Sequence, residues 1–263
     1  MELNIVVAHW GEGRGIIEKF QLKREGEFWR RGGLWLVITG VGISSGAIGT
    51  FKLLSHHRAP VLNFGVAGSD THPVGEGFWV PKIEEGVGRR SLYPGLVGPK
   101  GEVLRTLLTP GEYFRLVDLE GAGVFEGGVR HLSSHWLSFY KVVSDTPESQ
   151  FKPAQVPDLL APHLWVVEWS WERWRRDWEE FQRWMGIEAE VEGWIARYRQ
   201  KIHLTFTQLH QLRDLLRGLL LWGVSPPPPP KTPLSKREGK KFLEELDLLL
   251  RSKIEIGDLD VKI

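Results

Sequence analysis

Three continuous apolar runs, each breaking into a glycine-rich turn, constrain this chain more than any other feature. They are residues 3–8 (LNIVVA), 34–39 (LWLVIT) and 61–64 (VLNF), the last leading into GVAGS. None alternates polar with apolar side chains, so both faces of each strand must be covered, as in the interior of a largely parallel sheet. Residues 47–54 have helical spacing and supply a crossover between the second and third runs. Residues 77–83 (GFWVPKI) read as a further strand, with Pro81 favouring an edge or a bulge. Residues 120–132 read as a helix, and 136–143 as a last strand that ends in Ser144-Asp145. Strand and helix in repeated alternation predict an α/β fold, a central mixed sheet flanked by helices.

Beyond residue 150 the pattern changes. Val167, Trp171, Trp174, Trp178, Phe181 and Met185 recur at spacings of three and four, predicting an amphipathic helix over 164–185. A second helix is predicted over 187–202, with Val191, Trp194, Ile195 and Tyr198 on one face. Thr205 and Gln208 fit a capping box before a third, whose stripe is Leu209, Leu212, Leu216 and Leu219. Five prolines at 226–230 exclude helix and enforce an extended segment. Ser235 and Glu238 form another capping box, opening a final helix with Phe242, Leu246 and Leu249. The expected organisation is an α/β domain over 1–150 and an all-helical, Trp-rich extension over 151–263.

Charge and composition narrow the function. The 34 basic and 33 acidic residues give a net charge of +1, and the two halves are each balanced. A nucleic-acid partner is therefore not expected, because such surfaces carry a basic excess that displaces counterions. With no cysteine, disulfides, thiolate metal sites and cysteine nucleophiles are excluded. No run approaches a membrane span and the start lacks a basic leader, so a cytoplasmic chain without a membrane partner is expected. His131 and His135 stand four apart, but no acidic third ligand lies at fixed spacing, and neither metal nor cofactor is expected. Eight of the 13 tryptophans fall in the extension. A stacking platform for single strands would need a basic surround, so the stripe of Trp171, Trp174 and Trp178 is read as packing.

In open α/β sheets, ligands bind beyond the carboxyl ends of the strands. Those ends carry His9-Trp10-Gly11-Glu12, Gly40-Val41-Gly42, Gly65-Val66-Ala67-Gly68-Ser69, Asp118-Leu119-Glu120 and Ser144-Asp145. Three carboxylates distant in sequence, Glu12, Glu120 and Asp145, are thereby expected at one edge of the sheet. Each also has a plainer reading: Glu12 and Glu120 as helix-start carboxylates, Asp145 as a turn cap.

The ordered motifs GVG, NFGVAGS, VGEGFWV, VDLEGAGVFE and VVSD resemble the purine-nucleoside phosphorylase superfamily, nearest to its methylthioadenosine/S-adenosylhomocysteine nucleosidase branch. The resemblance covers residues 3–149. It implies a nucleoside-phosphorylase-like fold and hydrolysis of the N-glycosidic bond of a 5′-modified adenine nucleoside. Under it, Glu12 activates water and Asp145 protonates or hydrogen-bonds the purine N7. Glu120, with Leu119, binds the ribose hydroxyls, while Ser144, Val66, Ala67 and Gly68 line the base and ribose pocket. Trp10, beside Glu12, is also expected to touch the substrate, and Tyr93, Tyr113 and Phe114 are candidates to stack on the base. The family further implies a homo-oligomer, and the helical extension offers a surface for a protein partner. Gly11-Glu12-Gly13-Arg14 partly mimics a phosphate-binding loop, and Ser45 matches a phosphate-binding position. Phosphorolysis therefore stands as the alternative, with Asn63 in place of a phosphate-binding arginine arguing for hydrolysis. A non-catalytic nucleoside sensor or scaffold is the other alternative.

Overall fold

The computed structural model describes residues 2–86, 90–109 and 113–260. The chain divides into two compact units, Met1–Arg176 and Asp177–Ile263. The boundary falls later than the compositional change at 150, because the segment after the last strand packs back onto the α/β unit. There Val156, Leu160, Val166 and Val167 are buried.

In the first unit the strands are β1 (Leu3–Val7), β2 (Lys23–Glu25), β3 (Phe28–Arg31), β4 (Leu34–Ile38), β5 (Val61–Gly68), β6 (Gly77–Trp79), β7 (Ile83–Glu85), β8 (Ser91–Leu92), β9 (Leu104–Thr106), β10 (Leu116–Asp118) and β11 (Leu137–Asp145). The helices are α1 (Trp10–Phe20), α2 (Ile43–His56), α3 (Gly121–Gly128), α4 (Val156–Leu160) and the start of α5 (Trp165–Arg199). The sheet runs β2-β3-β4-β1-β5-β10-β9-β7-β8, with β11 also paired to β5 and β6 paired to β11. Strands β4, β1, β5 and β11 are mutually parallel neighbours, while β10 meets β5 antiparallel, so the sheet is mixed.

The three apolar runs are β1, β4 and β5, and all five residues of β1 are buried. Several boundaries differ from the sequence reading. The 77–83 segment is two strands, β6 and β7, because Pro81 interrupts the ladder. Helix α3 stops at Gly128 rather than Leu132, after Gly127 and Gly128, residues of low helix propensity. The antiparallel β2–β3 hairpin edge was not foreseen, its strands being short and largely exposed.

The second unit is helical. The two helices expected over 164–202 are one, α5, of 35 residues. Gly186 does not break it, since a single interior glycine costs only about 1 kcal/mol relative to alanine. The later half of α5 packs with α6 (Phe206–Leu221) and α7 (Lys236–Asp260) around Val191, Ile195, Tyr198, Leu212, Leu216, Leu219, Leu243 and Leu246. Both capping boxes form: Thr205 with Gln208, and Ser235 with Glu238. The proline run has neither helix nor strand, and the Tyr198 hydroxyl donates to the Pro227 carbonyl. Among the described residues no helix is long and apolar enough to cross a membrane.

Candidate active site

A cavity of about 250 Å³ opens beyond the carboxyl ends of β1, β5, β10 and β11. Its lining includes Glu12, Glu120, Asp145, Ser144, Leu119, Val66, Ala67 and Gly68, eight of the nine residues expected at a substrate site. Trp10 is the exception. It is half-exposed, packs on Trp29 at 5.4 Å between ring centroids, and does not line the cavity. Near-100° steps of the helix explain this: with Glu12 turned inward, the residue two positions earlier points away.

Glu12 combines its plainer role with an unusual one. Within α1 it closes a capping box, its Oε2 accepting from the His9 N–H at 3.3 Å. The same oxygen accepts from the Ala8 N–H at 2.5 Å, and Oε1 accepts from the Val66 N–H at 2.9 Å. Glu12 is 3% exposed, and its carboxylate is tied to the turn between β1 and α1 and to β5 by three backbone donors. Gly65 makes this possible. A Cβ there would collide with the Glu12 carboxylate, so the invasion of a helix side chain against β5 requires glycine.

Glu120 is the N-cap residue of α3, yet its side chain makes no cap hydrogen bond. Instead Oε1 accepts from the Gly42 N–H at 2.9 Å across the β4–α2 turn. Gly42 has φ +105°, a backbone conformation that side chains disfavour, which aims its N–H at the carboxylate. Burial, followed by the neighbouring Asp118 charge, pushes Glu120 up to about 7. Lys141 and the Gly42 N–H oppose that rise, and Glu12 adds to it.

Asp145 ends β11 at a register shift after Val143. The irregularity turns its side chain to the cavity, the usual effect of an extra residue in a strand. Its Oδ1 accepts from Ser144 Oγ at 2.6 Å and its Oδ2 from the Tyr113 hydroxyl at 3.0 Å. Burial, and then this bond to Asp145, raise the Tyr113 phenol above its ordinary value. Of the aromatic candidates, Tyr113 lines the cavity. Tyr93 is exposed, and Phe114 lies under the Arg105 guanidinium, 3.8 Å from its ring centroid. The intervening residues 87–89 and 110–112 lie outside the described chain.

The sequence reading missed other lining residues. Leu107 and Phe151 supply apolar walls and nothing in their spacing marks them; Val41 and Val117, inside the quoted GVG and VDLEGAGVFE motifs, supply others. Asp118 lines the cavity and makes a buried ion pair with Lys141 at 2.8 Å. A lysine among the mostly buried residues of β11 was the available signal. The phosphate-loop mimicry dissolves: Gly11 to Arg14 lie inside α1, and Arg14 pairs with Glu18 at the surface. Asn63 donates to the Val6 carbonyl at 3.0 Å, and neither it nor Ser45 lines the cavity. Among the described residues no cluster of three or more His, Asp or Glu could hold a metal. His131 contacts Ser55 and Phe51 instead.

No family model matches the sequence, and no curated protein is significantly similar to it. Solved structures do match. The 5′-methylthioadenosine nucleosidase of Arabidopsis thaliana superposes with a TM-score of 0.53 at 15% identity, over 65% of this chain and 93% of that one. The MTAN of Chlamydia trachomatis gives 0.52 at 19% identity, over 64% and 97%. The chain has the nucleoside phosphorylase/hydrolase fold. A 5′-methylthioadenosine/S-adenosyl homocysteine nucleosidase of Helicobacter pylori, complexed with a pyrrolopyrimidine-bearing pyrrolidinol, gives 0.50 at 12% identity over 66% and 97%. On this fold, the shared part is about two-thirds of the chain, and the carboxylate-lined cavity lies at the strand ends where open sheets bind ligands.

Proposed function

We propose that the protein is a nucleosidase that hydrolyses the N-glycosidic bond of a 5′-modified adenine nucleoside, such as methylthioadenosine, S-adenosylhomocysteine or 5′-deoxyadenosine. The observation that carries this reading is that Glu12, Glu120 and Asp145, from three distant parts of the chain, line one cavity. Cleavage of a bond to an anomeric carbon passes through an oxocarbenium-like sugar and needs an acid and a base on opposite sides. Glu12, held by three N–H donors, is the acceptor for the proton of an attacking water. Water oxygen bonds C1′ while the C1′–N9 pair leaves with the base, and Asp145 delivers or shares the proton taken up at N7. Glu120 holds the ribose hydroxyls and offsets positive charge developing on the sugar. The products are the free base and the 5-substituted ribose.

Hydrolysis is favoured over phosphorolysis because the described cavity lining contains no lysine or arginine to meet a phosphate. Similarity to nucleosidases in fold supports the substrate class without specifying the 5′ group. Assembly of copies belongs to the same proposal and is tested by light scattering against the 30.1 kDa chain mass. The decisive assay is adenine release from the three nucleosides, with and without phosphate, by wild type and Asp145→Asn. Release without phosphate that the variant loses supports the proposal. Strict phosphate dependence would move the protein to phosphorolysis, and ligand binding without release from any nucleoside would make it a sensor.

A further inference from the structure

Lys141 sits in the middle of β11 with its side chain 2% exposed, the one basic residue buried among the described residues. A buried ammonium is costly unless paired. Its Nζ lies 2.8 Å from Asp118 Oδ2. Asp118 is itself locked: Oδ2 also accepts from the Gly121 N–H at 3.0 Å, and Oδ1 from Thr106 Oγ1 at 2.8 Å. Thr106 Oγ1 in turn accepts from the Ala122 N–H at 3.0 Å. The pair thus joins β11, β10, β9 and the first turn of α3, and Asp118 stands two residues before Glu120 on the rim of the same cavity.

The cavity lining carries four carboxylates, Glu12, Asp118, Glu120 and Asp145, and no cation. Crowded carboxylates in a poorly solvated site do not all stay ionised together. The groups that bear on Glu120 are Asp118 from β10, Lys141 from β11, Glu12 from α1 and the Gly42 N–H from the β4–α2 turn. Asp118 and Glu12 oppose its ionisation, Gly42 assists it through one hydrogen bond, and Lys141 is the sole full positive charge. Desolvation pulls the Lys141 ammonium down, but Asp118, Glu12 and Glu120 more than offset it, so it is held protonated.

We propose that Lys141 is a positioning residue that, through Asp118, cancels one charge of the carboxylate cluster and thereby lets Glu120 meet the ribose as a carboxylate at neutral pH. Lys141 touches neither substrate nor water in this scheme; it acts on the charge state of the residue that does. The inference rests on the nucleosidase reading for its activity assay, but its physical content, a charge coupling between Lys141 and Glu120, does not.

Two measurements test it on the full chain. In the first, the pH dependence of adenine release is compared for wild type, Lys141→Met, Lys141→Arg and the double variant Lys141→Met/Asp118→Asn. Lys141→Met is expected to move the rising limb of the profile upward by about one pH unit or more. Lys141→Arg keeps the cation and the wild-type profile. The double variant removes the cation together with the carboxylate it neutralised, so its limb returns toward that of wild type. Structural damage alone would lower the rate at every pH, leave the limb in place and be made worse, not better, by the second substitution. That pattern would overturn the proposal.

The second measurement needs no turnover: thermal midpoints of the same four proteins from pH 5 to 8. Neutral Met beside Asp118 steepens the loss of stability with rising pH, and the double variant removes the added steepness. If no nucleoside releases adenine, the nucleosidase reading fails while this measurement still decides the coupling. Parallel midpoint curves for wild type and Lys141→Met would sink it. Should Lys141→Met not fold, the comparison passes to Lys141→Arg and the double variant, where a double variant displaced upward by a full unit would count against the proposal.

Discussion

The two ends of the cavity hold their carboxylates by different means. Glu12 is gripped by backbone: N–H groups of Ala8 and His9 at the turn into α1 and of Val66 in β5. Asp145 is gripped by side chains, the hydroxyls of Ser144 and Tyr113, and Ser144 Oγ has a second acceptor in the Ala67 carbonyl at 3.3 Å. Backbone donors are preorganised and cost no rearrangement when charge moves. Hydroxyls can exchange one acceptor for another, which would suit a group that, under the proposed function, gives up a protein partner for the base. The contrast pairs a rigid end, where water would be activated, with an adaptable end, where the base would be received.

The strongest way to break the rigid end is through its backing residue. In Gly65→Ala the new Cβ meets the Glu12 carboxylate. Adenine release in a discontinuous assay should then fall about 10³-fold, comparable to Glu12→Gln, within the range general-base removal produces. Unchanged release in Gly65→Ala would mean that the carboxylate is not bound rigidly. Asp145→Asn, at the adaptable end, keeps the hydroxyl partners in reach but loses the proton carrier, and should cost about 10²-fold in kcat.

Glu120 lies between the ends and is pushed up to about 7 from an ordinary value of 4.5. Its folded form binds a proton more tightly than its unfolded form. The associated stability is therefore complete below pH 4.5 and is lost as pH rises through about 7. Glu120→Gln should flatten that decline by on the order of 2 kcal/mol, read as thermal midpoints at pH 5 and pH 8. An equally steep decline in the variant would show that another group carries the linkage. The smallest effect is expected from Tyr113→Phe, which removes one of two hydroxyl donors to Asp145. Release should change by no more than about tenfold, the worth of one hydrogen bond, and a larger loss in kcat would show that the adaptable end is as rigid as the other.

Much of this was legible in the sequence, and the reasons are local. Unbroken apolar runs at β1, β4 and β5, bounded by glycine turns, read as covered strands, and the polar residues following the parallel strands β1, β5 and β11 gather at one sheet edge, where Glu120, after the antiparallel β10, also lines the cavity. That is why Glu12, Glu120 and Asp145 could be picked out together. Trp10, although two residues from Glu12, does not line the cavity, because a helix turns such neighbours apart. The stripes over 164–185 and 187–202 merge into the single helix α5, because one glycine at 186 costs little against apolar packing on both sides of it. Phe151 and Leu107 carry no mark in the sequence, since each is an ordinary apolar residue outside the strands whose place depends on how loops fold over the strand ends.

What the sequence by itself determined is the α/β class of the first part, the helical nature of the rest, the capping boxes at Thr205 and Ser235, and the placement of Glu12, Glu120 and Asp145 around one cavity. These follow from periodicity and from the end-of-strand rule, both local along the chain. Only the tertiary structure decided what each carboxylate does there. Glu12 reaches β5 because Gly65 leaves room; Glu120 ignores its own helix for Gly42; and Lys141, the one basic residue of β11, finds Asp118 of β10. Those outcomes depend on register and on burial, through which groups distant in sequence set one another's hydrogen bonds and charge.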